Sequence, residues 1–247
     1  MLAPGNLLGG IKGILFDLDD TLVAFDAVTE ISWKQVCTEY CSGNDKENPE
    51  VIHAAIRKVS NWYWSDPDRH RIGRSDLVSA RRRVVTQAFN ELNLPEPDAI
   101  LVADRYSKVR LENMFVFPDA IPTLGRLKTR GIKLGLITNG DASTQNYKID
   151  RFGLRNYFET VLIESDLGFG KPDPRIFNRA LELLHFRPDE ILMIGDNLVW
   201  DVSAPQSLGI RAVWYDYKGK GIPPESKVKP DIIMSSLSQL TDLLEEN

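Results

Sequence analysis

The chain has 247 residues, 43% hydrophobic, 26% charged and 9% aromatic. That composition excludes a disordered, collagenous or disulfide-dense protein, and the length allows one large domain or a domain with a smaller companion. A net charge of −5 gives no global attraction to nucleic acid or to an anionic membrane. There is no run of about 18 apolar residues to span a bilayer. Residues 1–10 carry no basic side chain and are broken by Pro4, Gly5 and Asn6, so they do not read as a signal peptide. The two cysteines, Cys37 and Cys41, lie one helical turn apart with no metal-ligand spacing around them. They read as reduced thiols of a cytoplasmic protein.

In chain order, the first β signal is residues 11–17 (IKGILFD). The signal then vanishes for about a hundred residues and returns at 132–138, 160–164, 190–195, 210–214 and 231–234. Short, nearly continuous apolar runs suit a parallel sheet buried on both faces. Between them lie helix signals. Asp119 stands as N-cap of a helix that uses Ile121, Leu124 and Leu127 and stops at Gly131. Asp173-Pro174 is a cap and first-turn pair, opening a stripe of Ile176, Phe177, Ala180, Leu181 and Leu184. This alternation predicts an α/β fold, a doubly wound parallel-sheet, Rossmann-like core. Residues 25–116 lack the alternation and read as an all-helical insertion, with breaks near 43–49, 65–73 and 93–97 and an apolar face of Leu77, Ala80, Val84, Ala88 and Leu92. The expected domains are therefore residues 1–24 with 117–247, and the helical insertion 25–116.

Four polar groups fall at the C-terminal ends of predicted strands, where open α/β sheets bind ligands. The first is Asp17-Leu18-Asp19-Asp20-Thr21. Residues i and i+2 share a face of an extended chain, so Asp17 and Asp19 are expected to point into one site and Asp20 away from it. Two such carboxylates resist joint ionisation unless a cation lies between them, which suits one nucleophile and one proton donor. The second group is Thr138-Asn139-Gly140, whose hydroxyl and backbone N–H groups suit a phosphoryl oxygen. The third is Lys171 in the Gly-flanked GKPDP loop, a fair anion ligand outside any Walker A pattern. The fourth is Gly195-Asp196-Asn197 with Asp201 following, well placed for a hard cation. Asp17, Asp19, Asp196 and Asp201 against Lys171 leave net −3, which would repel an anionic substrate. A divalent cation removes the objection, and Mg²⁺ fits oxygen ligands.

DLDDTL, the ITNG strand end, the GKPDP loop and GDN-x-x-x-D, in that order, resemble the four signature motifs of the haloacid dehalogenase superfamily. The helical insertion is similar in place and character to that family's cap. The resemblance implies that Asp17 attacks phosphorus to form an aspartyl-phosphate. Asp19 would protonate the leaving oxygen and then activate water. It implies phosphoryl binding by Thr138, Asn139 and Lys171, and Mg²⁺ held by the Asp17 carboxylate, the Asp19 carbonyl and Asp196. Asp201 would support the metal shell, and Thr21 would brace the loop after the nucleophile. Dehalogenases of the family lack an acid at the second aspartate, so Asp19 favours a phosphatase acting on a small phosphorylated metabolite. A 2-haloacid dehalogenase, a phosphomutase and a non-catalytic phosphate-binding protein are the alternatives. A dinucleotide-binding oxidoreductase would need G-x-G-x-x-G after the first strand, which is absent. For substrate choice the insertion offers Trp33, Trp62, Tyr63, Trp64, Arg69, His70, Arg71, Arg74 and the run Arg81-Arg82-Arg83. Most of these read more simply as packed aromatics or a solvated helix face.

Overall fold

The structure, a computed structural model, describes residues 9–42 and 48–245. From the N-terminus, strand β1 (Gly13–Phe16) leads to a two-residue strand β2 (Val23–Ala24). Five helices follow: α1 (Thr29–Cys41), α2 (Pro49–Ser65), α3 (Pro67–Ser75), α4 (Leu77–Glu91) and α5 (Glu96–Asn113). Strand β3 (Phe115–Val116) then precedes α6 (Ala120–Thr129), β4 (Lys133–Thr138), α7 (Ala142–Arg151), β5 (Thr160–Ile163), the one-turn α8 (Glu164–Leu167) and α9 (Pro174–Leu184). Strand β6 (Ile191–Gly195), a π-helical turn at Leu198–Ser203, α10 (Ala204–Gln206), β7 (Arg211–Tyr215), β8 (Ile232–Met234) and α11 (Ser238–Glu245) complete the chain. It forms two compact units, one from the segments up to Ala24 and from Phe115 onward, the other Phe25–Met114.

The first unit is the doubly wound α/β layer. Its six-stranded sheet has the order β5-β4-β1-β6-β7-β8 with every pair parallel. Leu15, Phe16, Leu136, Ile137 and the run Ile191–Ile194 are all fully buried, which explains why these strands read as apolar runs rather than alternations. The chain leaves β1 for β4 and β5 on one side, then crosses to β6, β7 and β8 on the other. The gap between the β4 and β6 ends, beside the end of β1, is thus the switch point where such sheets bind ligands. The predicted strands differ from the observed ones by one or two residues at their ends. The first stops at Phe16, because Asp17 leaves the ladder after its N–H donates to the Ile194 carbonyl (2.9 Å).

A second, antiparallel pair joins Val23–Ala24 to Phe115–Val116. Two residues per strand leave no periodicity to read. Asp119 stands at the start of α6 but makes no cap. Its carboxylate accepts instead from the Ser236 hydroxyl and the Ser238 N–H, tying α6 to the turn before α11.

The second unit is all-helical. Asn48, Asp66 and Asp76 each cap a helix start by accepting a backbone N–H, from Glu50, Arg69 and Ser79. The expected break over 65–73 is therefore only the residue Asp66, with Pro67 opening a helix at once. The gap after α1 falls at 43–47, outside the described residues, as do residues 1–8 of the N-terminal stretch. The core gathers Trp33, Ile56, Val85, Phe89 and Tyr106 among others, with Trp33 stacked on Tyr106 at 3.6 Å. No helix among the described residues is long and apolar enough to cross a membrane.

Candidate active site

Three strand ends bring the charged residues together. Lys171 lies in the loop before α9 and is 1% exposed. Its Nζ donates to Asp17 Oδ1 and to Asp201 Oδ1, both at 2.6 Å. Asp17 follows β1 and also accepts from the Thr21 hydroxyl at Oδ2 (3.1 Å). Thr21 thus braces the carboxylate itself rather than only the loop. Asp201 sits in the π-helical turn, where Asn197 N–H donates to its Oδ2 (3.0 Å). Gly195 is needed for that placement, since a Cβ there would lie 2.3 Å from Asp201 Cγ. Asp196 is fixed through its backbone, its carbonyl accepting from the Trp214 indole (2.7 Å).

Asn139 does more than present its backbone. Its amide forms a two-way clamp on Lys171, donating to the Lys171 carbonyl (2.6 Å) and accepting the Lys171 N–H (2.7 Å). Gly170 leaves room for the clamp, because a Cβ there would meet Asn139 Oδ1 at 2.5 Å. The Lys171-Pro172 peptide is cis.

The second aspartate faces the end of β4, close enough that its charge adds to the upward push on the Asp17 carboxyl. Both Asp19 carboxylate oxygens accept from Lys148 Nζ at 2.7 Å, and Oδ2 also accepts from Gln145 (3.0 Å). Gln145 reaches the Thr138 hydroxyl and the Asn139 carbonyl as well, so it links Asp19 to the end of β4. The Thr138 hydroxyl makes only a long 3.4 Å contact of its own, to the Asn139 carbonyl. Gln145 and Lys148 were not foreseen. Their signal was two polar residues in the buried stripe of α7, at i and i+3, beside Ile149. Asp20, expected to point away, is instead buried. It takes a left-handed φ of 61° and accepts from the Tyr217 hydroxyl (3.1 Å). The tight turn that returns Asp20 N–H to the Val23 carbonyl forces that conformation.

Carboxylate oxygens of Asp17, Asp196 and Asp201 lie within 4.8 Å of one another. Fully ionised, three carboxylates facing one ammonium would leave two negative charges in a largely buried space. Burial pushes the Asp17 carboxyl up to about 7; Lys171 pulls it down and Asp201 pushes it further up. Burial, then Asp17 and Asp201, pushes Asp196 up to about 9. Burial acts to lower the Lys171 ammonium, but Asp17 and Asp201 outweigh it and hold its pKa above the usual range. An all-oxygen donor set with two uncompensated charges fits a hard divalent cation.

Of the insertion's candidates, Trp62 is half-exposed, with Arg69 over its ring at 4.0 Å and hydrogen-bonded to the Trp62 and Tyr63 carbonyls. Arg69, on α3, thus folds back on the end of α2. Tyr63 is buried and Trp64 packs on the helical core and against His70. The side chains of Arg71 and Arg74 lie outside the described residues. Arg82 and Arg83 are exposed, whereas Arg81 is not.

A family model described as haloacid dehalogenase-like hydrolase matches residues 11–209. A glyceraldehyde 3-phosphate phosphatase of Pyrococcus furiosus is 30% identical, over 95% of this chain and 93% of its own. A phosphoserine phosphatase of Thermus thermophilus is also 30% identical, over 93% and 98%. The solved structure of the putative HAD-hydrolase YfnB of Bacillus subtilis, bound to magnesium, superposes with a TM-score of 0.73. It covers 95% of this chain and 98% of its own at 22% identity, a likeness of fold.

Proposed function

The chain belongs to the haloacid dehalogenase-like hydrolases, on the phosphatase side of that family, and we propose that it is a Mg²⁺-dependent phosphatase that works through an aspartyl-phosphate. One observation carries the reading: the Asp17 carboxylate is held by Lys171 and Thr21 beside Asp196 and Asp201 at the switch point of the sheet. In the first step an Asp17 oxygen forms a bond to phosphorus as the ester P–O bond breaks, and Asp19 gives its proton to the departing oxygen. In the second step Asp19 takes a proton from water, the water oxygen bonds to phosphorus, and the bond to Asp17 breaks. Inorganic phosphate and the free alcohol are the products. Asp17, the Asp19 carbonyl and Asp196 would hold Mg²⁺, with Asp201 in support. When bound, Mg²⁺ supplies positive charge that offsets the carboxylates and the developing phosphoryl charge.

The residues supply positioning and electrostatics, which phosphoryl transfer needs more than acid strength. Lys171 offsets charge on the phosphoryl oxygens while aligning Asp17. Thr138 and the Asn139 backbone offer hydrogen bonds to the same oxygens, and the Asn139 side chain keeps Lys171 in place. Asp19 favours this chemistry over halide displacement, which has no leaving oxygen to protonate. The substrate class is a small phosphorylated metabolite, and we take the helical unit as the cap domain that sets its choice. The free thiols Cys37 and Cys41 suit a reducing compartment, and we take the cytoplasm as the place of action. Hydrolysis of p-nitrophenyl phosphate tests the reading. Release must require Mg²⁺, be lost with EDTA and be lost in Asp17→Asn; metal-independent release, or an active Asp17→Asn enzyme, would overturn it.

A further inference from the structure

Gln145 lies in the buried stripe of α7 and is 2% exposed. Gly140, at φ 116°, turns the chain out of β4, and the Asp141 carboxylate caps α7 by accepting the Thr144 N–H. The first turns of α7 thereby bring Gln145 back against the end of β4. There its amide nitrogen donates to three atoms: Asp19 Oδ2 (3.0 Å), the Asn139 carbonyl (3.0 Å) and, closest of all, the Thr138 hydroxyl oxygen. A carboxylate and a carbonyl only accept, so the amide must present its nitrogen here and not its oxygen. An amide nitrogen does not accept, so the Thr138 hydroxyl meets it through a lone pair, and the Thr138 proton points elsewhere. Thr138 is 1% exposed. Its one other contact among the described residues is the 3.4 Å approach to the Asn139 carbonyl, which already accepts from Gln145. At that length the contact is weak. A buried hydroxyl with its oxygen occupied and its proton uncommitted is a donor held ready for an acceptor that the protein does not supply.

We propose that Gln145 is a positioning residue for phosphoryl transfer: by occupying the Thr138 oxygen, it directs the Thr138 proton to an oxygen of the bound phosphoryl group. The proposal rests on the phosphatase reading above for the identity of that acceptor. Without Gln145 the Asn139 carbonyl is free, and the Thr138 proton turns to it. The hydroxyl then shows the phosphoryl oxygen a lone pair, which repels. Asp19 is held independently, because Lys148 Nζ keeps both its oxygens at 2.7 Å. Loss of the Gln145 amide therefore falls mainly on Thr138.

A double-mutant cycle on the whole protein tests this. Inorganic phosphate is titrated by calorimetry, with Mg²⁺ present, into the wild type, Gln145→Met, Thr138→Val and the double variant. Gln145→Met should weaken phosphate binding roughly 10- to 100-fold, the worth of one hydrogen bond to a charged group. In the Thr138→Val background the same change should cost at most about twofold, because the proton it directs is gone. The kcat/KM for p-nitrophenyl phosphate should show the same non-additivity. Equal losses in both backgrounds, or undiminished phosphate binding by Gln145→Met, overturn the proposal, since Gln145 would then act through packing or through Asp19. Should Gln145→Met fail to fold, Gln145→Asn, which draws the amide back by one methylene, must still weaken phosphate binding; unchanged affinity refutes the role. A protein that cleaves no ester but binds phosphate with the non-additive pattern sinks the phosphatase reading and keeps this proposal. An active phosphatase whose variants are additive does the reverse, and a wild type that neither binds phosphate nor cleaves an ester overturns both.

Discussion

Gly195→Ala isolates the steric basis of the charge cluster. Gly195 ends β6 and is not among the positive-φ glycines, so alanine suits the backbone there. The cost is the added methyl group, 2.3 Å from Asp201 Cγ and 2.4 Å from its Oδ2. Restoring an ordinary contact of 3.4 Å moves the Asp201 carboxylate by about 1 Å. The 2.6 Å bond to Lys171 and the 3.0 Å bond from Asn197 N–H would both stretch beyond hydrogen-bond range. Breaking a buried ion pair costs about 3–5 kcal/mol; because Lys171 keeps Asp17, about 2–4 kcal/mol is expected here. Urea unfolding followed by circular dichroism reads that loss, and the Mg²⁺ concentration for half-maximal activity should rise severalfold. Gly125→Ala is the matched control. Gly125 lies in α6 with nothing within 4 Å of an added Cβ, so the same substitution should stabilise by about 0.5–1 kcal/mol. A Gly195→Ala protein with unchanged midpoint and unchanged Mg²⁺ requirement would refute the assignment of Asp201 to this cluster.

Three further outcomes follow from the site. Asp17 and Asp196 have carboxyls raised from 3.8 to about 7 and about 9, so the metal-free folded state holds protons that the unfolded chain has released. Stability must therefore fall as pH rises from 4 toward 9, and differential scanning calorimetry should show Mg²⁺ suppressing that fall, with tighter binding at higher pH as protons are displaced; a metal-free Tm that climbs from pH 5 to 8 would contradict it. Asp20→Ala should cost about 1–2 kcal/mol in chemical unfolding by losing the Tyr217 bond while keeping the left-handed strain, whereas Asp20→Gly should be near neutral because glycine carries no strain there. Lys148→Met should lower kcat about tenfold or more by releasing the Asp19 carboxylate, while the Mg²⁺ requirement stays within twofold, as steady-state kinetics would show.

The sheet was legible because its strands are buried on both faces and so appear as uninterrupted apolar runs such as ILMIG. Asp17, Lys171, Asp196 and Asp201 were legible because each follows a strand or opens a helix at the same end of that sheet. The partners of those residues were not. Lys148 and Gln145 meet Asp19 across more than a hundred residues, and a local pattern carries no information about such pairing beyond a polar interruption in a buried stripe. The two-residue strands of the small hairpin are too short for any period. Strand alternation puts Asp20 outward, but the chain has already left the strand and turned at φ 61°. Arg81 sits in a run of three arginines that reads as a solvated face, and only the packing of α4 on α5 separates it from Arg82 and Arg83.

The central claim is that phosphorus bonds first to an Asp17 oxygen and only then to water. Hydrolysis of an isotopically chiral phosphorothioate ester in labelled water reads this directly. Two successive in-line displacements return the thiophosphate with retained configuration, which is the predicted result. Inverted configuration would mean that water attacks the ester in one step, and the role given to Asp17 would be wrong.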